Sequence, residues 1–199
     1  MSTLFDKCFA VFALLFFMPF FVLISVVVLL TEGGPVFFAH QRIGKNGKSF
    51  KCFKFRTMAI DASEQLASLL AQDPIAKAQW DATQKLDDDP RVTCLGEFFR
   101  KTSLDELPQF WNVLKGEMAI VGPRPIVEDE MARYGKNIDA YLSVKPGITG
   151  FWQVNGRSDT SYEERVKMDV EYVQTKTFPK DIGIILKTVK VVLSRSGAV

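Results

Sequence analysis

Residues 9–30 carry no charged side chain and are mostly Phe, Leu, Val and Ile, a run long enough to cross a bilayer as one helix. Pro19 sits in its middle, where the missing backbone donor predicts a kink or a break. After Gly33-Gly34-Pro35 the pattern changes to short apolar runs. Residues 36–38 and 50–55 flank Gly44-Lys45-Asn46-Gly47, and Phe53 and Phe55 alternate with Lys54 and Arg56. This predicts a short β-hairpin with its cations on one face. Residues 60–86 are alanine-rich and interrupted at Asp73-Pro74, which predicts two surface helices. Leu107, Phe110, Trp111 and Leu114 recur at helical spacing and predict a helix with a buried face. Residues 126–141 predict a helix with acids at its start. Residues 182–195 predict an amphipathic helix, too charged at Lys187, Lys190 and Arg195 to span a membrane. It suits a position in the membrane interface, with packing on the protein's own core as the alternative.

Charge sharpens the reading of the apolar run. Hydropathy alone favours a spanning anchor over a re-entrant hairpin, because membrane helices tolerate proline. A cleaved signal peptide fits poorly: Asp6-Lys7 is a weak basic start, and no small-x-small site precedes Thr31-Glu32. Arg42, Lys45, Lys48, Lys51, Lys54 and Arg56 follow with no acid among them, which predicts a cytoplasmic domain drawn to anionic membrane phospholipids. The chain of 199 residues accommodates one domain with a real core, and 25 basic against 23 acidic residues give no bulk argument for a nucleic-acid partner. Cys8, Cys52 and Cys94 form no CxxC pair and predict neither a disulfide framework nor a zinc site. His40 is the single histidine, which removes Ser-His, Cys-His and multi-histidine metal chemistry. Catalysis would run on carboxylates, lysines, arginines and a metal held by oxygen.

Arg100-Lys101-Thr102-Ser103-Leu104-Asp105-Glu106-Leu107-Pro108-Gln109 sets adjacent carboxylates against adjacent cations at the predicted start of a helix. An aspartate held ionised there suits a nucleophile or a metal ligand. For Glu106 the local pattern alone favours a capping box with Ser103 as N-cap, although Pro108 would then sit just past the first turn. Asp87-Asp88-Asp89-Pro90 reads as a solvated loop ending a helix rather than a metal site. In Val121-Gly122-Pro123-Arg124-Pro125 the prolines stiffen the backbone around one guanidinium, which suits bidentate grip on a phosphate. An ion pair of Arg124 with Glu128 or Asp129 is the plainer alternative. The glycine-punctuated stretch 146–157, with Thr149, Gly150 and Arg157, offers amides to a phosphate or a base.

Together these landmarks resemble the bacterial sugar transferases, the monotopic polyprenyl-phosphate phosphoglycosyl transferases. They are the apolar segment with Pro19, Gly34-Pro35, Gln41-Arg42-Ile43-Gly44, Lys54-Phe55-Arg56-Thr57-Met58, Asp89-Pro90-Arg91, Ser103-Leu104-Asp105-Glu106-Leu107-Pro108-Gln109, Trp111-Asn112-Val113, Gly122-Pro123-Arg124-Pro125 and Pro146-Gly147-Ile148-Thr149-Gly150. Trp152-Gln153-Val154 and the ending Ser196-Gly197-Ala198-Val199 are most similar to undecaprenyl-phosphate galactose or glucose phosphotransferases.

The resemblance implies a mainly helical α+β fold with a re-entrant membrane helix over residues 1–34, broken at Pro19. A catalytic domain over residues 35–199, with interfacial amphipathic helices and a small β-hairpin, would form one active site at the membrane surface. Both termini would face the cytoplasm at the bacterial inner membrane. The implied reaction transfers galactose or glucose 1-phosphate from a UDP-sugar to undecaprenyl phosphate, with release of UMP, in the first membrane step of O-antigen, capsule or exopolysaccharide synthesis. Asp105 matches the nucleophile that forms a covalent phosphosugar, and Glu106 its partner, the pair acting with Mg²⁺. Arg100, Arg124, Lys54 and Arg56 match phosphate-binding positions; Pro123, Arg124, Thr149 and Gly150 match nucleotide-binding ones. A homodimer is a further possible partner. Two features depart from the pattern: Met18 precedes Pro19 where some members carry serine, and only Lys7 is basic ahead of the apolar run. Larger members add spanning helices and another domain ahead of this part. The rival readings are a hydrolase of nucleotide-sugar or polyprenyl diphosphates and a non-catalytic scaffold.

Overall fold

The apolar run forms one helix, α1 (Thr3–Glu32), and the helical assignment continues through Pro19 without interruption. The break predicted at Pro19 is not seen here. A proline removes one hydrogen bond of the ladder, and the turns on either side keep theirs. A stripe at helical spacing, Asp6, Ala10, Ala13, Ile24 and Val28, is buried against the rest of the protein. Phe9 packs on Phe110 near one end and Phe21 on Phe55 near the other, so both halves of α1 rest on the same body. The opposite face, including Phe12, Leu15, Phe16, Val22 and Leu29, is exposed and apolar. The computed structural model describes residues 3–83, 86, 88–156 and 160–194; Asp87, Arg157, Arg195 and the ending 196–199 lie outside them.

β1 (Phe37–Ile43) and β2 (Ser49–Phe55) pair antiparallel in the register Phe37↔Phe55 to Ile43↔Ser49. The turn Lys45–Gly47 uses left-handed backbone at Asn46 (φ 58°) and at Gly47 (φ 73°), conformations that Asn and Gly adopt at least cost. The hairpin and the surface helices α2 (Ala62–Gln72) and α3 (Pro74–Thr83) follow the pattern read from the sequence. Asp89 is not a solvated acid: it grips Arg91 with both oxygens, at 2.8 and 2.7 Å.

Helix α4 (Cys94–Thr102) begins at Thr93, whose Oγ1 accepts from the Gly96 N–H at 2.9 Å. A side chain at Gly96 would come within 2.0 Å of the Thr57 carbonyl oxygen, so this glycine lets α4 lie directly on the chain leaving β2. Ser103 ends α4 in the left-handed region (φ 56°), followed by a single 3₁₀ turn, Leu104–Glu106, and by α5 (Gln109–Lys115). The capping box favoured for Ser103 and Glu106 does not form. Ser103 makes no side-chain cap bond and the Glu106 carboxylate is bonded to Lys54 instead.

β3 (Ala119–Val121) and β4 (Gly147–Thr149) pair in parallel. The single helix predicted over 126–141 is instead a chain of short turns. They are the 3₁₀ turn Glu128–Glu130, α6 (Met131–Tyr134), the 3₁₀ turn Gly135–Asn137 and α7 (Ile138–Leu142). Gly135, at φ 50° and ψ −128°, is where helical geometry stops. After α8 (Phe151–Asn155), α9 (Tyr162–Thr175) opens on a capping box between Ser161 and Glu164. α10 (Phe178–Ser194) buries Ile184 and leaves Leu186, Val189 and Leu193 exposed, so it packs on the core along one side and keeps an apolar outer side. One buried cluster joins α1, β2, α5, β3, α9 and α10 through Ala10, Phe50, Val113, Val121, Tyr172 and Ile184. A second joins Ile24 and Val28 of α1 to Phe55 and Phe99 beneath the carboxylate turn.

Candidate active site

The hairpin delivers Lys54 to the carboxylate turn. Its Nζ lies 3.1 Å from Asp105 Oδ2 and 2.7 Å from Glu106 Oε1, so one ammonium holds both acids. A 3₁₀ turn places successive side chains on different sides of the chain, and the backbone from Ser103 to Leu107 is fixed by 3₁₀ bonds from Glu106 N to Ser103 O and from Leu107 N to Leu104 O. Asn112 anchors α5 to the hairpin: its Nδ2 donates to the Lys51 carbonyl at 2.7 Å, and its Oδ1 accepts from the Phe53 N–H at 3.0 Å. Asn112 is fully buried, so the register between Lys54 and the acids is held by bonds that cannot be exchanged for water.

The two carboxyls are driven apart. Burial pushes Asp105 above the usual aspartate range, with the neighbouring Glu106 charge adding to it, against the pull of Lys54 and Arg100. Glu106 is also opposed by burial, but the Lys54 ammonium, the Arg124 guanidinium and a hydrogen bond with Gln109 hold it below the usual glutamate range. The Lys54 ammonium is in turn favoured, because Glu106 and Asp105 together outweigh its desolvation. Thus Glu106 is the fixed anion and Asp105 the more basic carboxyl.

A cleft beside this pair is lined by Arg42, Cys52, Lys54, Glu106, Gln109, Arg124, Pro125, Ile148 and Gln153. Glu106 reaches its wall; Asp105, whose side chain is 8% exposed, does not. Arg124 is exposed between the buried Pro123 and Pro125. Its loop is clamped by backbone bonds, Gly122 N donating to Thr149 O at 2.9 Å and Gly147 N to Pro123 O at 2.8 Å, and by Arg42 Nη1, which donates to Pro125 O at 3.2 Å. A side chain at Gly147 would sit 2.1 Å from the Gly122 nitrogen, and one at Gly150 2.4 Å from the Gly122 oxygen.

The remaining residues predicted for the site divide. Arg100 is half-buried near Asp105 and donates from Nε to Thr57 Oγ1 at 3.0 Å. Arg56 is bonded elsewhere, with Nη2 donating to the carbonyls of Glu32 (3.1 Å) and Gly33 (2.6 Å) where α1 ends. Thr149 is buried and its hydroxyl meets Thr188 of α10 at 2.7 Å, so neither side chain faces the cleft wall. His40 stands in register opposite Cys52 on the hairpin. Sequence reasoning missed Gln109 and Gln153 as lining residues and named Arg42 within the basic run and the Gln41-Arg42-Ile43-Gly44 landmark, without a role in the site. For Gln109 the signal was its place directly after the Asp-Glu turn; for Gln153 it was the Trp152-Gln153-Val154 landmark, which does not say where the side chain lies.

Asp105 and Glu106 are joined by no third His, Cys, Asp or Glu among the described residues. Of the two, Glu106 reaches the cleft and Asp105 is buried behind it, with Lys54 between them; their oxygens are the donor type a hard cation takes, its shell completed by phosphate oxygens and water.

The sequence matches the bacterial sugar transferase family over residues 1–195. The chain belongs to that family. It is 56% identical over 84% of its length to the undecaprenyl-phosphate galactose phosphotransferase of Salmonella typhimurium, covering 35% of that protein. It is 48% identical over 98% of its length to the exopolysaccharide production protein ExoY of Rhizobium meliloti, covering 86% of it. To the UDP-glucose:undecaprenyl-phosphate glucose-1-phosphate transferase of Escherichia coli it is 40% identical over 92% of its length, covering 38%. The chain therefore spans about a third of the length of the Salmonella and Escherichia relatives and most of the Rhizobium one.

Proposed function

We propose that this chain transfers a hexose 1-phosphate from a UDP-sugar to undecaprenyl phosphate through a phosphosugar held on Asp105. The observation that carries the reading is the Lys54-bridged carboxylate pair beside a cleft that presents Arg124 and Arg42. In the first half-reaction an Asp105 carboxylate oxygen attacks the β-phosphorus. The bond from that phosphorus to the bridging oxygen breaks, and the oxygen leaves with UMP. In the second, an oxygen of the lipid phosphate attacks the same phosphorus, the bond to Asp105 breaks and the carboxylate is regenerated. Raised basicity favours Asp105 as the attacking group once it is ionised, and Lys54 and Arg100 supply the field that ionises it. Glu106 keeps Lys54 in place and remains charged. Arg124 and Arg42 offset the diphosphate charge as it shifts toward UMP. Mg²⁺, held by Glu106 and Asp105, would supply further charge compensation to the phosphoryl group.

One observation favours a second assignment within the same reaction. Glu106 lines the cleft and Asp105 does not, so Glu106 is the alternative nucleophile.

The contact pattern of α1 supports a monotopic arrangement on the cytoplasmic face of the inner membrane. Both halves of α1 rest on the body that carries the Lys54 site, which cannot follow a helix through the hydrocarbon region. The outward apolar face would dip into the same leaflet from which a polyprenyl phosphate is presented. Turnover assays with UDP-galactose and UDP-glucose test the reading. Multiple turnovers of UMP release are expected only when undecaprenyl phosphate is supplied, whereas sustained release without it would make the protein a hydrolase.

A further inference from the structure

The basic run behind α1 does not act as one surface. Arg42 and Lys54 line the carboxylate cleft, Arg56 is buried at the end of α1, and Lys45 and Lys48 line a separate cleft of about 380 Å³. Its walls are the hairpin turn, the end of α5 and Lys145. Lys45, Lys48, Lys115 and Lys145 face it against a single acid, Glu117. That acid is already engaged, with Oε1 2.6 Å from Lys115 Nζ and Oε2 accepting from Asn112 at 2.7 Å. Asp6, whose charge also acts on Lys145, is buried and accepts from the Ile120 N–H at 3.3 Å. Among the described residues no carboxylate lies within ion-pair distance of Lys45, Lys48 or Lys145.

These charges also crowd one another. Burial lowers the affinity of Lys145 for its proton, and the ammoniums of Lys7, Lys45 and Lys176 add to that against the pull of Asp6. A side chain at Gly116 would lie 3.6 Å from Lys145 Nζ and 4.0 Å from Lys7 Cε, which places Lys7 of α1 at the rim. On α1, Lys7 shares a face with Leu4 and Val11, both exposed. Unpaired ammoniums in a concave site gather a multivalent anion, and an apolar helix face at its rim says which phase that anion comes from.

We propose that this cleft binds the phosphate of an acidic phospholipid headgroup through Lys45, Lys48 and Lys145, with Lys7 at the rim. The proposal rests on the reading that the outer face of α1 meets lipid. It assigns a lipid site distinct from the carboxylate cleft, one that would fix the angle at which the chain sits on the bilayer.

The test uses the full chain in nanodiscs of mixed phosphatidylglycerol and phosphatidylcholine, with native mass spectrometry of the lipids it retains. Phosphatidylglycerol is expected to be retained over phosphatidylcholine, with each lysine contributing about fivefold. Lys48→Gln should reduce the preference by about that factor, and Lys45→Gln/Lys48→Gln/Lys145→Gln should abolish it. Lys77→Gln, on the distant α3, should leave it intact. Equal retention of both lipids by the wild type, or full preference in the triple variant, would overturn the proposal. So would stabilisation of the detergent-purified chain by tripolyphosphate through the same lysines without any lipid preference, since the site would then serve a soluble anion. Failure of the chain to enter phosphatidylcholine nanodiscs at all would remove the membrane reading beneath it.

Discussion

At the scale of single residues the site depends on Lys54. Without it Asp105 and Glu106 would share a buried turn with no bridging cation, and the carboxyl already pushed up by burial would go up further. Lys54→Ala is therefore expected to lower kcat/KM by roughly 10²–10³-fold, the range found when one preorganised electrostatic partner is removed. A fall of less than tenfold in steady-state assays would show that Lys54 only decorates the site. Arg56 gives the opposite expectation, although it lies close to Lys54 in sequence. It bonds to the carbonyls of Glu32 and Gly33, sits 3.8 Å from Glu32 Oε2 and keeps Nε and Nη1 buried without a partner. Arg56→Ala leaves the largely buried Glu32 carboxylate without its neighbouring cation and two carbonyls without their donor, and should cost about 3 kcal/mol in denaturant unfolding, with KM for the UDP-sugar unchanged. A raised KM at unchanged stability would return Arg56 to the phosphate site. The sequence shows both residues as cations of one alternating strand. What separates them is that β2 ends at Phe55, and no local pattern marks that boundary.

At the scale of elements the hairpin, the two surface helices and the apolar helix follow from periodicity and turn residues. Two readings do not. Ser103-x-x-Glu106 has the form of a capping box, yet the chain turns left-handed at Ser103 and spends Glu106 on Lys54, a long-range partner that no local rule registers. The stretch 126–141 has helical composition, but Gly135 interrupts it and Tyr141 is pulled away to donate to the Ile43 carbonyl at 2.7 Å. Conversely, Ser161-x-x-Glu164 does form its box and opens α9, a signal present in the sequence. The pairing of β3 with β4 explains the glycines on either side of Arg124. Gly147→Ala would drive a methyl to within 2.1 Å of the Gly122 nitrogen and shift the Arg124 loop. A displacement near 1 Å is expected to cost on the order of 10²-fold in kcat/KM. Unchanged kinetics in a folded Gly147→Ala protein would show that the loop tolerates movement.

For the molecule as a whole, a buried cluster outside the carboxylate cleft contributes to the pH response of stability. Asp169 accepts from the Tyr134 hydroxyl at 2.7 Å, keeps Oδ1 without a partner, and burial pushes its carboxyl up to about 7. Below the unfolded value of about 3.9 both states hold the proton and no effect arises. Between there and pH 7 the unfolded chain ionises first, so folded-state stability falls as pH rises, by on the order of 4 kcal/mol in total. Thermal unfolding from pH 4 to pH 8 should show this decline in the wild type and a flatter profile in Asp169→Asn. Parallel profiles would acquit Asp169. The same scale bears on function: α1 rests by both halves on the body that carries the Lys54 cleft, so that cleft and the exposed apolar face of α1 belong to one packed body.

The most direct measurement of the central claim is intact mass after the purified chain meets sugar-labelled UDP-galactose or UDP-glucose and Mg²⁺ without lipid. A gain of one hexose phosphate is expected in the wild type. It should be absent in Asp105→Asn and discharged from the wild type when undecaprenyl phosphate is added. An adduct that persists in Asp105→Asn and disappears in Glu106→Gln would move the nucleophile to the carboxylate on the cleft wall. No adduct at all, with full lipid-dependent transfer by Asp105→Asn, would contradict the covalent route.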